Sequence, residues 1–185
     1  MKTHKSHLVS LCLIMLLGLM LVNPVGAEEL FFSVEGSQSG KFPGEITQAG
    51  FEGTMKAVKY ESELTTQQGS VAGRVGMAVH GPIKLTKKMG AASLSFLNAL
   101  KVGEMLTITI EFFSPSRAGK IVNTHTVTLK NARVAGIRQY SEPIGQIPGA
   151  MVVLEELSFA FGDFEMKDMF GGASSQSQPP RIFRK

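Results

Sequence analysis

Alternation of apolar and polar residues dominates the chain beyond residue 27 and predicts a mainly β protein. The clearest run extends from Met105 to Phe113, and a turn separates it from a second alternating run, Val122 to Lys130. The apolar face of the first run would be formed by Leu106, Ile108, Ile110 and Phe112. This spacing of two strands around a short turn predicts a β-hairpin.

Further strands are predicted on both sides of this hairpin. They are Leu30 to Val34, Ile46 to Val58 with bulges or points of close backbone approach at Gly50 and Gly53, Ala132 to Tyr140 after an interruption at Asn131, and a closing strand from Met151 to Phe164. One helix is predicted, in which Ser93 would cap the N-terminus and Gly103 would lie just past the C-terminus.

The fold class predicted from these elements is mainly β, an antiparallel β-barrel or sandwich with one flanking α-helix. The polar stretch from Tyr60 to Gly76 contains few apolar residues and predicts a long protruding loop. Residues 28–170 would form the barrel domain. Residues 171–185 would form a low-complexity, mobile tail.

The first 27 residues have the order of a secretory signal peptide. Lys2 and Lys5 precede an apolar run from Leu8 to Val22, and small residues end at Ala27. An uncleaved anchor helix is the alternative, but the apolar run is shorter than the roughly 20 residues that a bilayer span requires. We therefore expect cleavage after Ala27 and a secreted or periplasmic protein of 158 residues, with no membrane segment after cleavage.

Cleavage changes the charge and the cysteine inventory of the protein. The formal net charge of +4 falls to +2 because two lysines leave, so nothing favours nucleic acid as a partner. Cys12 is the only cysteine and lies in the leader, so the remaining chain has no disulfide and no thiol nucleophile.

Catalytic motifs are absent or broken. The glycine-rich segment around Gln38 has no serine at the position of a nucleophile, and His80 and His125 stand in no ligand-spaced cluster. Adjacent residues Glu155 and Glu156 would point to opposite faces of a strand. We expect no enzyme activity, no metal and no cofactor.

Lys84, Lys87 and Lys88 form the densest basic group of the chain. They are expected to be solvated at a strand end before the helix. The alternative is that they contact an acidic face of a neighbouring subunit.

Several ordered strings resemble the haemolysin-coregulated protein (Hcp) family, the tube subunits of type VI secretion. The most specific is His80 to Lys88, which is similar to the family's His-to-Thr-Lys run before its only helix. The other matching strings are Leu30 to Ser37, Ile46 to Thr54, Thr124 to Ala132 and Leu154 to Phe164. The chain departs from the family pattern with Gly90 in place of the usual Asp and Leu94 in place of the usual Pro. The signal peptide is a further departure.

The resemblance implies a barrel subunit that closes into six-membered rings, which stack into a tube that carries effectors. By this resemblance the extended loop packs onto the next subunit or ring. Its interface candidates are Tyr60, Glu61, Glu63, Thr65, Gln67, Gln68 and Val71. The positions matching family motifs are Glu35, Gly36, His80, Thr86 and Lys87.

Three functional hypotheses follow from the sequence. The first is a non-enzymatic, ring-forming tube protein whose partners are its own copies, secretion-machine components and effectors. The second is a monomeric periplasmic or extracellular binding or adaptor module on the same barrel. The third is an enzyme, which would require a nucleophile beside a base.

Overall fold

The computed structural model describes residues 28–66, 78–116, 118–145, 147–170 and 174–177. The predicted signal peptide therefore lies outside the described residues. The strands in chain order are β1 (Glu29–Gly36), β2 (Gly40–Lys41), β3 (Met55–Glu61), β4 (Leu64–Thr66), β5 (Ala78–His80), β6 (Ile83–Lys88), β7 (Leu106–Pro115), β8 (Ile121–Pro143), β9 (Met151–Ala160), β10 (Asp163–Asp168) and β11 (Ser174–Ser177). The helix described is α1 (Ser93–Val102).

The main sheet closes on itself and is antiparallel throughout its pairings. Its order is β11-β10-β8-β7-β1-β3-β6-β9, and β8 also pairs with β9. The long strand β8 thus closes a barrel, because its first half pairs with β7 and its second half pairs with β9. This confirms the predicted mainly β fold with one helix beside the sheet.

The barrel interior is filled by the inward faces of these strands. The predicted hairpin is confirmed as β7 and β8, and Leu106, Ile108 and Ile110 are buried as the alternation predicts. Phe112 packs against the same core at its edge. Phe96 of α1 is buried against Phe42, with ring centroids 5.1 Å apart, and this contact holds the helix on the barrel.

The predicted strand from Ile46 to Val58 is wrong in its first half. Gly50 and Gly53 have φ values of 87° and 69°, in the left-handed region that ends an extended strand. The chain turns there, and Phe51 stacks on Phe31 with centroids 4.2 Å apart. The strand β3 therefore starts only at Met55.

Two other boundaries also differ from the prediction. Asn131 does not end a strand; it adopts φ 52° inside β8 and lies where β8 passes from β7 to β9. Asn tolerates this left-handed conformation better than most residues. The predicted closing strand divides into β9 and β10 at Phe161 and Gly162, and a Cβ on Gly162 would lie 2.9 Å from Asn131 Cβ.

The C-terminal tail also differs from the prediction. The tail was expected to be mobile, but Ser174–Ser177 forms β11 on the edge of β10. Within the described ranges, no helix is long and apolar enough to cross a membrane.

Candidate subunit interface

A two-stranded hairpin, formed by β4 and β5, stands apart from the main sheet, and we call it the arm. Its register pairs run from Leu64–His80 to Thr66–Ala78. It forms its own sheet and shares no backbone ladder with the barrel. The predicted loop from Tyr60 to Gly76 is therefore a β-hairpin at its base, because Tyr60 and Glu61 end β3 and Leu64 begins β4.

The base of the arm is attached to the barrel through ring contacts of His80. The His80 ring lies 4.8 Å from the Phe164 ring and 5.6 Å from the Phe161 ring, measured between centroids. Its Nδ1 is buried without a hydrogen-bond partner among the described residues. Burial lowers the pKa of His80 because the charged imidazolium loses solvation. The Gly81 amide donates to the Glu63 carbonyl at 2.9 Å and closes the base of the arm.

The interface candidates on this segment fall into two groups. Tyr60 packs edge-on against Phe112, with centroids 5.2 Å apart, so it belongs to the barrel wall. Glu61 pairs with Lys59 at 2.6 Å, which lowers the pKa of this carboxyl. Glu63 and Thr65 are exposed and available to a partner. Gln67, Gln68 and Val71 lie outside the described residues.

Exposed apolar side chains mark two regions of the surface. Leu64 on the arm is 58% exposed, and Leu94 and Val102 on α1 are 71% and 68% exposed. Single exposed apolar residues are ordinary, but four of them lie on this one short helix, Leu94, Leu97, Leu100 and Val102. The prediction that Ser93 caps the helix is wrong, because the N-cap residue is Ala92 and no side chain caps it.

The side chain of Ser93 instead joins a buried charged network. Ser93 Oγ donates to Glu155 Oε1 at 2.8 Å, and Lys87 Nζ lies 3.1 Å from the same oxygen. Lys87 Nζ also donates to Glu45 Oε1 at 2.9 Å and to the Lys88 carbonyl at 2.6 Å. Lys87 and Glu155 are 0% exposed, so the expected solvated position of Lys87 is wrong.

Sequence alternation carried a signal for this network that the prediction missed. Ile83 and Leu85 face the core from β6, and Lys87 continues their period of two. Glu155 continues the inward face of Leu157 and Phe159 on β9 in the same way. The two charges are direct register partners, so both fall at apolar positions of the pattern. Lys87 and Glu155 are closed to solvent, whereas Glu45 is partly exposed, and this burial of the central pair fits a structural role.

The remaining lysines of the basic group differ from Lys87. Lys84 is partly exposed and lies 3.9 Å from Glu61, and Lys88 is exposed at the end of β6. Thr86 is buried between them. Contact of this basic group with an acidic face of a neighbouring subunit would therefore depend on Lys84 and Lys88.

The motif position Gly36 belongs to a tight turn that Glu104 completes. Glu104 Oε1 accepts hydrogen bonds from the amides of Gln38 at 2.8 Å and Ser39 at 2.7 Å, and from Ser39 Oγ at 2.9 Å. The bond from the Ser39 amide is the main reason that the pKa of Glu104 is lowered. A Cβ on Gly36 would clash with Glu104 Oε1 and Ser39 Oγ, so any larger residue would have to displace the side chains that form this hydrogen-bonded turn. Glu35, beside it, is exposed on β1.

The described residues offer little chemistry. They contain no group of three or more His, Cys, Asp or Glu side chains that could hold a metal ion. His80 lies on β5 and His125 on β8, and His125 packs against the Phe112 ring at 6.5 Å. The described residues form a closed barrel, a separate two-stranded arm and a helix with exposed apolar side chains.

Comparison with known proteins agrees with this geometry. Residues 31–167 match the family described as "Type VI secretion system effector, Hcp". The chain is 30% identical over 122 residues to the "Major exported protein" of Pseudomonas aeruginosa PAO1, which covers 64% of this chain and 70% of that protein.

Solved structures share the fold. A crystal structure of an Hcp protein superposes with a TM-score of 0.73 at 21% identity, covering 82% of this chain and 99% of the other. The secreted protein Hcp3 from Pseudomonas aeruginosa superposes with a TM-score of 0.67 at 23% identity, covering 83% and 99%.

The fold and the comparisons define a class, the closed antiparallel β-barrels of type VI secretion. The family match extends over most of the barrel, from β1 to β10. The chain belongs to the Hcp family and is a tube subunit of type VI secretion.

Proposed function

We propose that this chain assembles into closed six-membered rings and that these rings stack into a tube. The arm is the observation that carries the proposal. A two-stranded hairpin outside a larger sheet is at best marginally stable in water. This hairpin also exposes Leu64, and its only ring contacts to the barrel among the described residues are those of His80. An adjacent subunit would cover this apolar side chain and stabilise the arm.

Export is the second part of the proposal. The order of charge, apolar run and small residues in residues 1–27 supports cleavage after Ala27, which leaves Glu28 at the new N-terminus. The exported Pseudomonas relative supports a destination outside the cytoplasm. The assembled protein would then act without enzymatic chemistry, with its own copies, secretion components and effectors as partners.

The test is the solution mass of the purified protein by light scattering, with negative-stain images of the same sample. Closed rings of about six copies are expected, as oligomers with closed cyclic symmetry. A monomer at all concentrations would contradict the ring and would favour a binding or adaptor module on the same barrel.

A matched pair of variants shows whether the arm makes the contact. Leu64→Asp places a charge on the face of the arm that carries the exposed leucine, whereas Thr65→Asp places the same charge on its other face. We expect Leu64→Asp to disperse the rings and Thr65→Asp to weaken them less. Equal effects of the two variants would show that the arm is not part of the interface.

A further inference from the structure

The outer edge of β10 carries the last strand of the sheet. On one side, β10 pairs with β8 through six residue pairs, from Asp163–Lys130 to Asp168–His125. On the other side, β11 pairs with it through four, from Phe164–Ser177 to Lys167–Ser174. The edge of β10 is therefore covered by a short segment of the same chain.

The two strands differ in how firmly they are held. Phe164 of β10 is buried in the core and Met166 packs against it, so β10 is fixed by side-chain burial. The side chains of Ser174, Ser175 and Gln176 are exposed. In the described part of β11, residues 174–176 are held by the backbone ladder and by a side-chain hydrogen bond between Gln176 and Glu165. Serine packs little surface in a strand, so β11 can leave while β10 remains in place.

β11 lies beyond the part of the chain that matches the family. The match ends at residue 167, and β11 starts at Ser174. β10 is therefore the last strand that the match includes. An uncovered edge strand is a template for pairing with another chain, because its amides and carbonyls are unpaired.

We propose that the outer edge of β10 is a strand-addition site for a second copy of this chain, whose Ser174–Ser177 segment replaces β11 there. This proposal rests on the proposed ring. The segment that fits the edge in register is already known from β11, and every neighbouring copy carries the same segment. Exchange preserves the ladder and changes only the connection between β10 and β11, so it costs little.

The residues at the start of that connection fit an exchange between copies. Met169 and Phe170 follow β10 and are 54% and 69% exposed. Two adjacent exposed apolar side chains beside a strand edge would be covered when a neighbouring subunit approaches. A head-to-tail exchange of this kind closes into a ring when the rotation between subunits permits it.

Single-cysteine variants of the full chain test the exchange. Cys12 is the only native cysteine, so Cys12→Ser provides a background without thiols. Lys167→Cys and Ser174→Cys are made in separate chains, since these positions are register partners. The two chains are mixed, allowed to assemble under reducing conditions and then oxidised. A disulfide between them forms only if the segment of one copy lies on β10 of another.

The controls use the same strands. Ser175→Cys mixed with Lys167→Cys is the mismatched pair, because residue 175 pairs with Met166 and faces the other side. The double variant with both Lys167→Cys and Ser174→Cys tests whether these positions are register partners at all, through a disulfide within one chain or between chains. We expect the matched mixture to give about tenfold more cross-linked heterodimer than the mismatched one, because cysteines whose Cβ atoms point to opposite faces of a sheet cannot be bridged.

The outcomes separate this proposal from the ring itself. Equal yields from the two mixtures overturn the exchange, even where light scattering shows closed rings and the ring proposal stands. A matched cross-link in a sample without closed rings supports the exchange and contradicts the ring. Failure of the double variant to form any disulfide between positions 167 and 174, within or between chains, would also overturn the proposal, because the register of β11 would then be wrong.

Discussion

At the scale of single residues, we expect substitution of the buried Lys87 to cause the largest loss of unfolding free energy. Lys87→Met keeps the volume but leaves Glu155 buried beside Ser93 without its cation. Removing one partner of a buried ion pair costs about 3–5 kcal/mol of unfolding free energy, because the remaining charge is uncompensated. Urea unfolding would measure this loss.

The control for this substitution is the neighbouring lysine. Lys88→Met removes the same charge from an exposed position, and we expect a change within about 0.5 kcal/mol. Adding Glu155→Gln to Lys87→Met should recover part of the loss. Similar losses for Lys87→Met and Lys88→Met would show that the network does not stabilise the barrel.

The lowered pKa of Glu104 should make the stability of the folded chain depend on pH. Its folded-state pKa lies below the unfolded value of about 4.3, because the amides of Ser39 and Gln38 bind the carboxylate. The stabilisation is therefore complete above about pH 4.3 and is lost as the pH falls through the lowered folded-state pKa. Glu104→Gln should be less stable than the native chain at pH 7, and the difference should shrink in acid.

Chemical unfolding at a series of pH values would measure this difference. Glu63→Gln is the matched control, because Glu63 is exposed at the base of the arm. We expect its stability to follow that of the native chain at each pH. A Glu104→Gln difference that stays constant from pH 7 down to the acid limit would contradict the role assigned to the carboxylate.

Gly90 provides the room that Glu45 occupies. A Cβ on Gly90 would lie 2.3 Å from Glu45 Oε1, the atom that binds Lys87. Gly90→Ala should therefore push Glu45 away from the lysine and cost about 1–3 kcal/mol, as overpacking does. Gly136→Ala is the control, because its Cβ would meet only Ser158 Cβ at 3.9 Å. Unfolding curves in which both variants match the native chain would rule out this steric account.

At the scale of elements, the attachment of the arm depends on a ring contact. His80→Ala removes the packing on Phe161 and Phe164, whereas the backbone pairs of β4 and β5 remain possible. We expect amides of the arm to exchange with solvent about tenfold faster, because local opening becomes easier while the barrel stays closed. Hydrogen exchange followed by mass spectrometry would measure this change.

His125→Ala serves as the comparison for the arm. His125 packs on Phe112 of β7, within the barrel wall, so this variant should leave exchange in the arm unchanged. Faster exchange across β7 as well as the arm in His80→Ala would mean that His80 supports the barrel rather than the attachment of the arm.

Elements with regular alternation could be predicted from the sequence, and elements shaped by turns could not. The β7–β8 hairpin and the left-handed Gly103 at the end of α1 follow from local patterns and are confirmed. The start of β3 was missed because Gly50 and Gly53 turn the chain, which composition alone does not distinguish from bulges. Lys87 was placed in solvent because its burial depends on a carboxylate from β9, 68 positions further along the chain.

At the scale of the whole molecule, the closed barrel should fold without the arm. The arm shares no backbone ladder with the main sheet, and the Glu63 carbonyl and the Gly81 amide are already hydrogen-bonded at its base. Replacing residues 64–80 with a short Asn-Gly turn should therefore keep the far-ultraviolet circular dichroism of the barrel. We expect the thermal midpoint to move by only a few degrees, about what 1 kcal/mol produces in a domain of this size.

Assembly should respond to the same deletion much more strongly than folding does. If the arm contacts the next subunit or ring, the concentration at which assemblies half-dissociate should rise at least about tenfold, which corresponds to about 1.4 kcal/mol per contact. Light scattering over a dilution series would measure this concentration for the native and shortened chains. An armless barrel that remains folded and assembles at the native concentration would show that the interface lies elsewhere, with the leucines of α1 as the next surface to substitute.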